Sequence, residues 1–488
     1  MLVPLQLKTI WISRNVLATK QILREVIQMV STNTLCKKIL NVKDMIVEDV
    51  DIFEDAKGVT NLRIMARPYK RVMNTCPKCG RTNCPGYDER KSNGEPVLRS
   101  WRSLDFAGIP VHIVAHTRRI ECPEHGVIVG AVPWAHHDCD FTKDFDNTVA
   151  WMAKHLTRQA ASEYMRIDWK TVGRCVSRVR DVIEPDISVR LDGLEEIGID
   201  ETSYRKGHKY ITVVVNHANN TVVWAHEGFG KDVLRTFLES MTAEQRASIK
   251  IVTADGARWI SDCVEKFLPN ATLCVDSFHV VQWINDALDE LRKSAWREAY
   301  AEVQELKKDH TPKRGRPADN DAEAKAIAEA KQYASEIKNS MYALGKNPDN
   351  LTEKQRLRLE WLSMSNNKLS RAYHRKEQIR GILHMSDPEA AEEELTRWLW
   401  WASHSRIPEF IELGKKIRRH KDRILNTIRM KMSNARIEAT NNKIKILIKR
   451  AYGFRNIQNL IDLILLVCSK LEISLPNRPA KRPQLQEA

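Results

Sequence analysis

The sequence predicts a multidomain α/β protein, and three observations carry that reading. Residues 195–280 alternate strand-like apolar runs (195–200, 210–215, 221–227, 249–254, 271–276) with helical spacing near 231–241 and 257–267. Ahead of them, 45–135 is strand-rich, with turns around Gly58, Gly94 and Gly108. Behind them, 280–435 is polar and helical, rich in Lys, Glu, Gln and Ala. With 488 residues the chain has room for roughly two to four domains.

The ends differ from the rest. Residues 1–30 fit no neighbouring pattern, and "MVSTNTLCKKIL" from Met29 reads as a natural start, so that segment is expected to be a dispensable extension. Charges interrupt it too often for a secretory apolar stretch. No run of 18 apolar residues occurs, so no membrane span is expected. The tail 476–488 is expected to be disordered, and "HTPKRGRPADN" reads as an exposed linker within the polar helical region.

Charge is the clearest compositional signal: 78 Lys+Arg stand against 63 Asp+Glu, a net +15. A surplus of that size favours a polyanionic partner, nucleic acid first. The ten cysteines suit a reducing cytoplasm better than a disulfide framework, because several cluster at metal-like spacing.

That cluster defines a small β-rich domain over 31–140. Cys76-Pro-Lys-Cys79-Gly and Cys122-Pro-Glu-His125-Gly are ligand pairs two residues apart, each followed by the glycine a tight knuckle favours. Four such donors suit one structural Zn²⁺ with no open position, a stiffening centre rather than a catalytic one. Cys84 is a spare thiol in the same stretch.

Over 141–190, "VAWMAKHLTRQAASEYMRIDWKTVGRCVSRVRDVI" places apolar residues at Val149, Met152, Leu156, Ala160, Tyr164, Ile167, Val172 and Val176. The pattern predicts a helix near 158–164, a turn through Met165–Ile167, and a second helix opened by Asp168 as N-cap. Lys170, Thr171, Arg174 and Arg178 on that second helix are expected to face DNA.

The α/β block ends its strands on acids. "EEIGID" closes on Asp200, "IKIVTAD" on Asp255, and "ATLCVD" on Asp276, with Phe278 and His279 just beyond. Single acids after strands are usually caps, but three from one small sheet of a basic protein suit two bridged divalent ions. Lys415–Arg455 holds 14 basic residues and only two acids, Asp422 and Glu438. On a helix, Glu438 would share a face with Asn442, Lys445 and Lys449. That face would send one carboxylate to the metals and its amide and ammonium groups, with Arg450, along a nucleic-acid backbone.

At these residues the chain resembles the ISL-three family of bacterial insertion-sequence transposases, within the DDE transposases. The resemblance runs from about residue 31 to 470 through "IGIDETSYRKGHKY", "VTADGARWI", "CVDSFHVVQWINDALDELR" and "SNARIEATNNKIKILIKRAYGFRN". It implies a ribonuclease-H-like mixed sheet over 191–290 and 430–475, interrupted by a helical insertion over 291–429. It implies a catalytic triad of Asp200, Asp255 and Glu438 holding two Mg²⁺ or Mn²⁺ ions. Asp276 and His279 then support the site, or Asp276 replaces Asp255 as second ligand. Double-stranded DNA, as element ends and target, is the implied partner, and joining two ends implies at least a homodimer. A cutting-only nuclease or resolvase of the same fold, or a non-catalytic DNA-binding derivative, remains as an alternative. Trp283, Trp398, Trp400 and Trp401 are open to base stacking or to core packing.

Overall fold

Alternating apolar residues and a turn closed by Asp55 and Gly58 pair β1 (Met45–Glu54) with β2 (Thr60–Pro68) as an antiparallel hairpin. The computed structural model containing this hairpin describes residues 31–89, 91–92, 94–309, 322–432 and 435–478. The expected extension 1–30, the "HTPKRGRPADN" linker and the last part of the expected tail, 479–488, lie outside the described residues. The chain forms two compact units, one reaching to Ile183 and resuming at Glu472, the other spanning Glu184–Leu471. Among the described residues no helix is long and apolar enough to cross a membrane.

In the first unit β1 and β2 join β6 (Leu98–Phe106) and β7 (Ile109–His116) in the order β1-β2-β7-β6. Met45, Ile64, Trp101, Ile113 and Trp134 fill its core. A smaller sheet pairs β3 (Gly86–Glu89), β8 (Arg118–Cys122) and β9 (Gly126–Val129), and β4 (Lys91–Ser92) with β5 (Glu95–Pro96) forms a ribbon. Leu475–Arg478 does not extend freely as the sequence suggested: these residues line a cavity with Leu35, Ile39 and Phe106.

Three helices follow in that unit, Lys143–His155, Arg158–Met165 and Trp169–Ile183. The turn falls where the sequence places it, because Arg166 takes the left-handed conformation (φ 53°) and Ser162 Oγ donates to the Ile167 carbonyl. Asp168 Oδ1 accepts from Lys170 N at 2.6 Å and opens the last helix. Arg178, expected to face DNA, keeps only a quarter of its side chain exposed and makes two hydrogen bonds, 2.8 and 2.9 Å, to the fully buried Asp146 carboxylate. Asp146 needs that partner because an ion in a core must be paired. Arg178 is therefore a strut between the first and third helices.

The second unit is organised by a five-stranded mixed sheet, ordered β12 (Thr221–Glu227), β11 (Lys209–Asn216), β10 (Glu196–Arg205), β13 (Ile251–Ala254) and β14 (Thr272–Val275). β10, β11 and β12 form an antiparallel meander, and β13 and β14 run parallel to β10. On one face, Leu234, Phe237, Ile260 and Val264 from helices Lys231–Glu239 and Arg258–Phe267 pack on Ile197, Ile199 and Val252. On the other, Ile444, Leu447, Leu460 and Ile464 from helices Ala435–Arg450 and Ile457–Cys468 pack on Ile211, Val213 and Val215. Edge strand β14 is covered by helix Lys421–Arg429, where Thr427 Oγ1 donates to the Val275 carbonyl at 2.7 Å and Asn426 Nδ2 to that of Leu273.

Two boundaries differ from the sequence reading. β10 does not end at Asp200 but continues to Arg205, because its hairpin with β11 pairs through Ser203↔Tyr210 and turns at Gly207 (φ 87°). The expected domain limit at 290/291 falls inside one continuous helix, Ser277–Asp309. Its Ile284, Leu288, Leu291 and Val303 share a core with Leu395, Trp398, Phe410 and Ile424 from the later helices.

Breaking the Asp146–Arg178 pair strands a buried charge. Asp146→Ala should therefore destabilise the protein by about 3–5 kcal/mol, read from urea unfolding. Lys170→Ala on the exposed face should change stability by less than about 0.5 kcal/mol.

Candidate active site and metal centre

Register decides where the acids meet. Gly198 of β10 lies opposite Thr253 of β13, and Thr253 lies opposite Cys274 of β14. Two residues further along each chain come Asp200, Asp255 and Asp276, one row across three adjacent strands. The Asp276 amide donates to the Ala254 carbonyl at 2.9 Å, holding the last two side by side.

Asp200 is held on both oxygens. Oδ1 accepts from Glu201 N at 2.7 Å, and Oδ2 accepts from Asn441 Nδ2. Thr202 Oγ1 donates to Asn441 Oδ1 at 3.2 Å and sets the amide's orientation. Burial pushes the Asp200 carboxyl above the usual range and nearby Asp276 adds to the rise, while the Glu201 amide, His279 and Asn441 oppose it. Burial likewise raises Glu201, opposed by the Gly230 N–H and reinforced by Asp255 and Asp200. Asp255 Oδ1 accepts from Ala257 N at 2.9 Å, and Asp276 Oδ1 from Phe278 N at 2.7 Å. Asp276 thus caps the helix that starts at Ser277, while Asp255 closes the short turn ahead of the helix that starts at Arg258.

Glu438 sits on helix Ala435–Arg450, exposed, one turn before Asn441. Asn442, Lys445 and Lys449 share its exposed side, and Arg450 is half-buried. The residue of this helix that touches Asp200 is Asn441, which the sequence reading passed over for Asn442. Its signal was present: Asn441, Ile444 and Leu447 recur at the spacing of the buried face. Glu201, next to Asp200 in the sequence, borders the acids too, and so do Lys416 and His420, which local pattern gave no reason to single out; both feel the charge of Asp255. The described carboxylates do not close into a set with oxygens within 4.8 Å of one another. They are nevertheless hard oxygen donors on a shared rim, a donor set that suits Mg²⁺ or Mn²⁺.

The tryptophans separate by environment. Trp398 is buried, with Nε1 donating to the Arg375 carbonyl at 3.0 Å, and Trp401 lies against Arg375 and Phe410. Trp400 is 64% exposed and stacks on His404. Trp283 lies beneath the Lys416 ammonium, 4.1 Å from the ring centre.

In the first unit, the donor atoms of Cys76, Cys79, Cys122 and His125 all lie within 4.8 Å of one another. Cys79 Sγ is 3.7 Å from Cys122 Sγ, and His125 Nδ1 is 3.8 Å from both Cys76 and Cys122 Sγ. Tetrahedral Zn²⁺ with bonds of about 2.0–2.3 Å needs ligand separations of this size, so the donors fit zinc. Gly80 and Gly126 follow the pairs with φ of 73° and 65°, the left-handed turns the knuckles require. Cys84 stays outside, its thiol directed at the Arg81 carbonyl. The remaining recognition-helix residues divide as well: Lys170 and Arg174 are exposed, Thr171 half-buried.

With the geometry in place, comparison with known proteins is decisive. A family model described as "Transposase", of the DDE ISL3 type, matches residues 197–464, and the "Helix-turn-helix domain of transposase family ISL3" matches 131–180. The chain belongs to the ISL3 family of transposases. The ISL3 transposase match spans the five-stranded sheet, the helices between and Glu438; the second match spans the three-helix region, so those helices are a helix-turn-helix domain. Relatives agree: the transposases for insertion sequence element IS1557 from two Mycobacterium tuberculosis strains, CDC 1551 / Oshkosh and ATCC 25618 / H37Rv, are each 40% identical over 91% of this chain and 97% of their own length. The transposase for insertion sequence element IS1001 from Bordetella parapertussis is 25% identical over 84% of this chain and 92% of its own.

Two outcomes are expected from this geometry. Purified protein should carry one zinc per chain by elemental analysis, and Cys122→Ser should lose it together with the cooperative melt of the first unit. For Asp200, a raised folded-state pKa means that stability is full at low pH and declines as pH rises through that value. Asp200→Asn removes the buried charge, so metal-free variant should melt above wild type at pH 7, the gap closing as pH falls; an unchanged or lower melt at pH 7 contradicts it.

Proposed function

We propose that this ISL3 transposase binds the ends of an insertion sequence, cleaves the DNA there and joins the freed end to target DNA in a divalent-metal-dependent reaction. The observation that carries the reading is the row of Asp200, Asp255 and Asp276 on adjacent strands, with Asn441 and Glu438 supplied by a helix packed on the same face. The strand order β12-β11-β10-β13-β14, a meander followed by two parallel strands, supports a ribonuclease-H-like catalytic fold. On this reading Asp200, Asp255 and Glu438 hold the catalytic cations, and the helices of 291–429 are an insertion into that fold.

When bound, the cations would supply Lewis acidity for the displacement at phosphorus. The chain's own groups do the positioning. Asn441 and the Glu201 amide fix both oxygens of Asp200, and the backbone amides of Ala257 and Phe278 orient Asp255 and Asp276. Water attacks phosphorus at the element end and the 3′-oxygen leaves, taking up a proton to become a 3′-hydroxyl; that hydroxyl then loses its proton and attacks a target phosphodiester, forming a new P–O bond as the target strand's own 3′-oxygen leaves and is protonated. No enzyme nucleophile is needed, because positioning and electrostatics supply the rate. Lys170, Thr171 and Arg174 serve end recognition from the helix-turn-helix, and Asn442, Lys445, Lys449 and Arg450 follow the backbone near the site. Coordinated cutting of two ends calls for at least two copies in the active complex, which mass photometry on end-bearing DNA would count.

A second assignment has its own support: Asp276 and His279 act directly on the Asp200 carboxyl, so Asp276 competes with Asp255 as second ligand. A labelled end fragment with Mg²⁺ or Mn²⁺ separates them, scoring binding, cleavage and joining apart. Asp200→Ala, Asp255→Ala and Glu438→Ala should bind DNA yet fall below about a thousandth of wild-type cleavage, the scale of losing a transition-state group, while Asp276→Ala keeps partial activity. A dead Asp276→Ala beside an active Asp255→Ala exchanges the two roles. Wild type that cuts and never joins is a nuclease instead.

A further inference from the structure

Gly256, directly after Asp255, is glycine for a reason outside its own backbone. A Cβ there would stand 2.7 Å from the Trp283 indole and 3.3 Å from His420 Cε1. Trp283 and His420 are themselves in contact, their rings 5.2 Å apart. The Lys416 ammonium lies over Trp283 at 4.1 Å, and Arg423 donates to His420 Nδ1 at 3.4 Å. Lys416 closes helix Pro408–Arg419, and Arg423 lies in the next helix. The polar helices beyond the sheet thus deliver cationic side chains to the loop that holds Asp255.

Their pairing state gives these cations a use. Neighbouring bases on the same helices are neutralised: Lys415 pairs with Glu412, and Lys421 and Arg429 both pair with Glu392. Among the described residues, no carboxylate lies within ion-pair distance of Lys416, Arg419 or Arg423. The charges Lys416 feels are those of Asp286 and Asp255. His420 is buried, and burial, with Arg423, Arg419 and Lys416, lowers its pKa against the opposing charge of Asp255, while Arg423 donates to its Nδ1. A lysine held over the Trp283 ring, with Arg423 bonded to His420 and Arg419 nearby, none of them ion-paired, gives a bound polyanion the charge it requires beside the acidic rim.

We propose that Lys416, Arg419 and Arg423, arrayed around Trp283 and His420, form a phosphodiester-binding subsite that holds the DNA backbone beside Asp255. The subsite rests on the transposase reading for its location next to the reacting phosphate, but its ligand chemistry, a DNA phosphate, is testable alone. Trp283 is then a positioning residue, its ring committed to Gly256 and Lys416 rather than open to a flipped base.

The test measures binding of full-length protein to a labelled duplex carrying the element end, as a function of salt, for wild type, Lys416→Gln, Lys416→Arg and Arg419→Gln. Each lost phosphate contact lowers the slope of log K against log salt by about 0.9. Lys416→Gln and Arg419→Gln should each lose about one contact and bind several-fold more weakly, with Lys416→Arg restoring most of it. Single methylphosphonates near the end provide a second reading: one position should weaken wild type and leave Lys416→Gln indifferent. Equal slopes and equal methylphosphonate sensitivity in wild type and Lys416→Gln overturn the subsite. A wild type that binds with the expected slope and never cleaves removes the transposase reading while leaving the subsite standing.

Discussion

The structure of the second unit turns on one constraint: acids from adjacent strands are brought into a single row on a half-buried rim. Like charges at such spacing repel, and burial disfavours each ionised form. Burial is the main cause of the upward displacement of Asp200 and Glu201, and the neighbouring carboxylates add to it. The protein offsets part of it with oriented donors, including Asn441, the Glu201 amide and the helix-opening amides of Ala257 and Phe278. Cations would offset the rest. On the proposed reading, stability is given up there so that a charged ligand would have something to neutralise.

Much of the surrounding architecture follows from keeping that row in place. The parallel register of β13 and β14 requires a crossover helix, Arg258–Phe267, which covers one face of the sheet. Helix Ala435–Arg450 covers the other face and brings Asn441 to Asp200. Thr427 and Asn426 seal the edge next to Asp276 with side-chain donors where a further strand would otherwise pair. On the proposed reading, the net positive charge of the chain and the acidic rim are complementary: bases would gather phosphate, and acids the ions that phosphate chemistry uses.

Residues with local chemical signatures were legible in the sequence. Cys76, Cys79, Cys122 and His125 announced themselves by spacing, and the structure gathers those four while leaving Cys84 aside. The helix-turn-helix was legible from Asp168 and the apolar period. The acids at the ends of β13 and β14 were legible because short parallel strands stop where their helices begin. Properties that depend on distant partners were not. Asp200 looked terminal because acids are poor strand residues, yet the β10–β11 hairpin carries it well inside the strand. Arg178 read as a surface cation because Asp146, its partner, lies 32 residues away. Asn441 was masked by the more regular charged face beside it, and the Gly256–Trp283–His420 contact joins segments no local pattern links.

The central claim, that the row of acids is a cation site rather than a set of helix caps, is tested most directly by metal binding itself. Titrating Mn²⁺ into full-length wild type and Asp200→Asn, with free Mn²⁺ followed by electron paramagnetic resonance, separates the two. Wild type should take up Mn²⁺ at this site and Asp200→Asn should lose that uptake while keeping its fold. Equal Mn²⁺ uptake by both proteins would contradict the account.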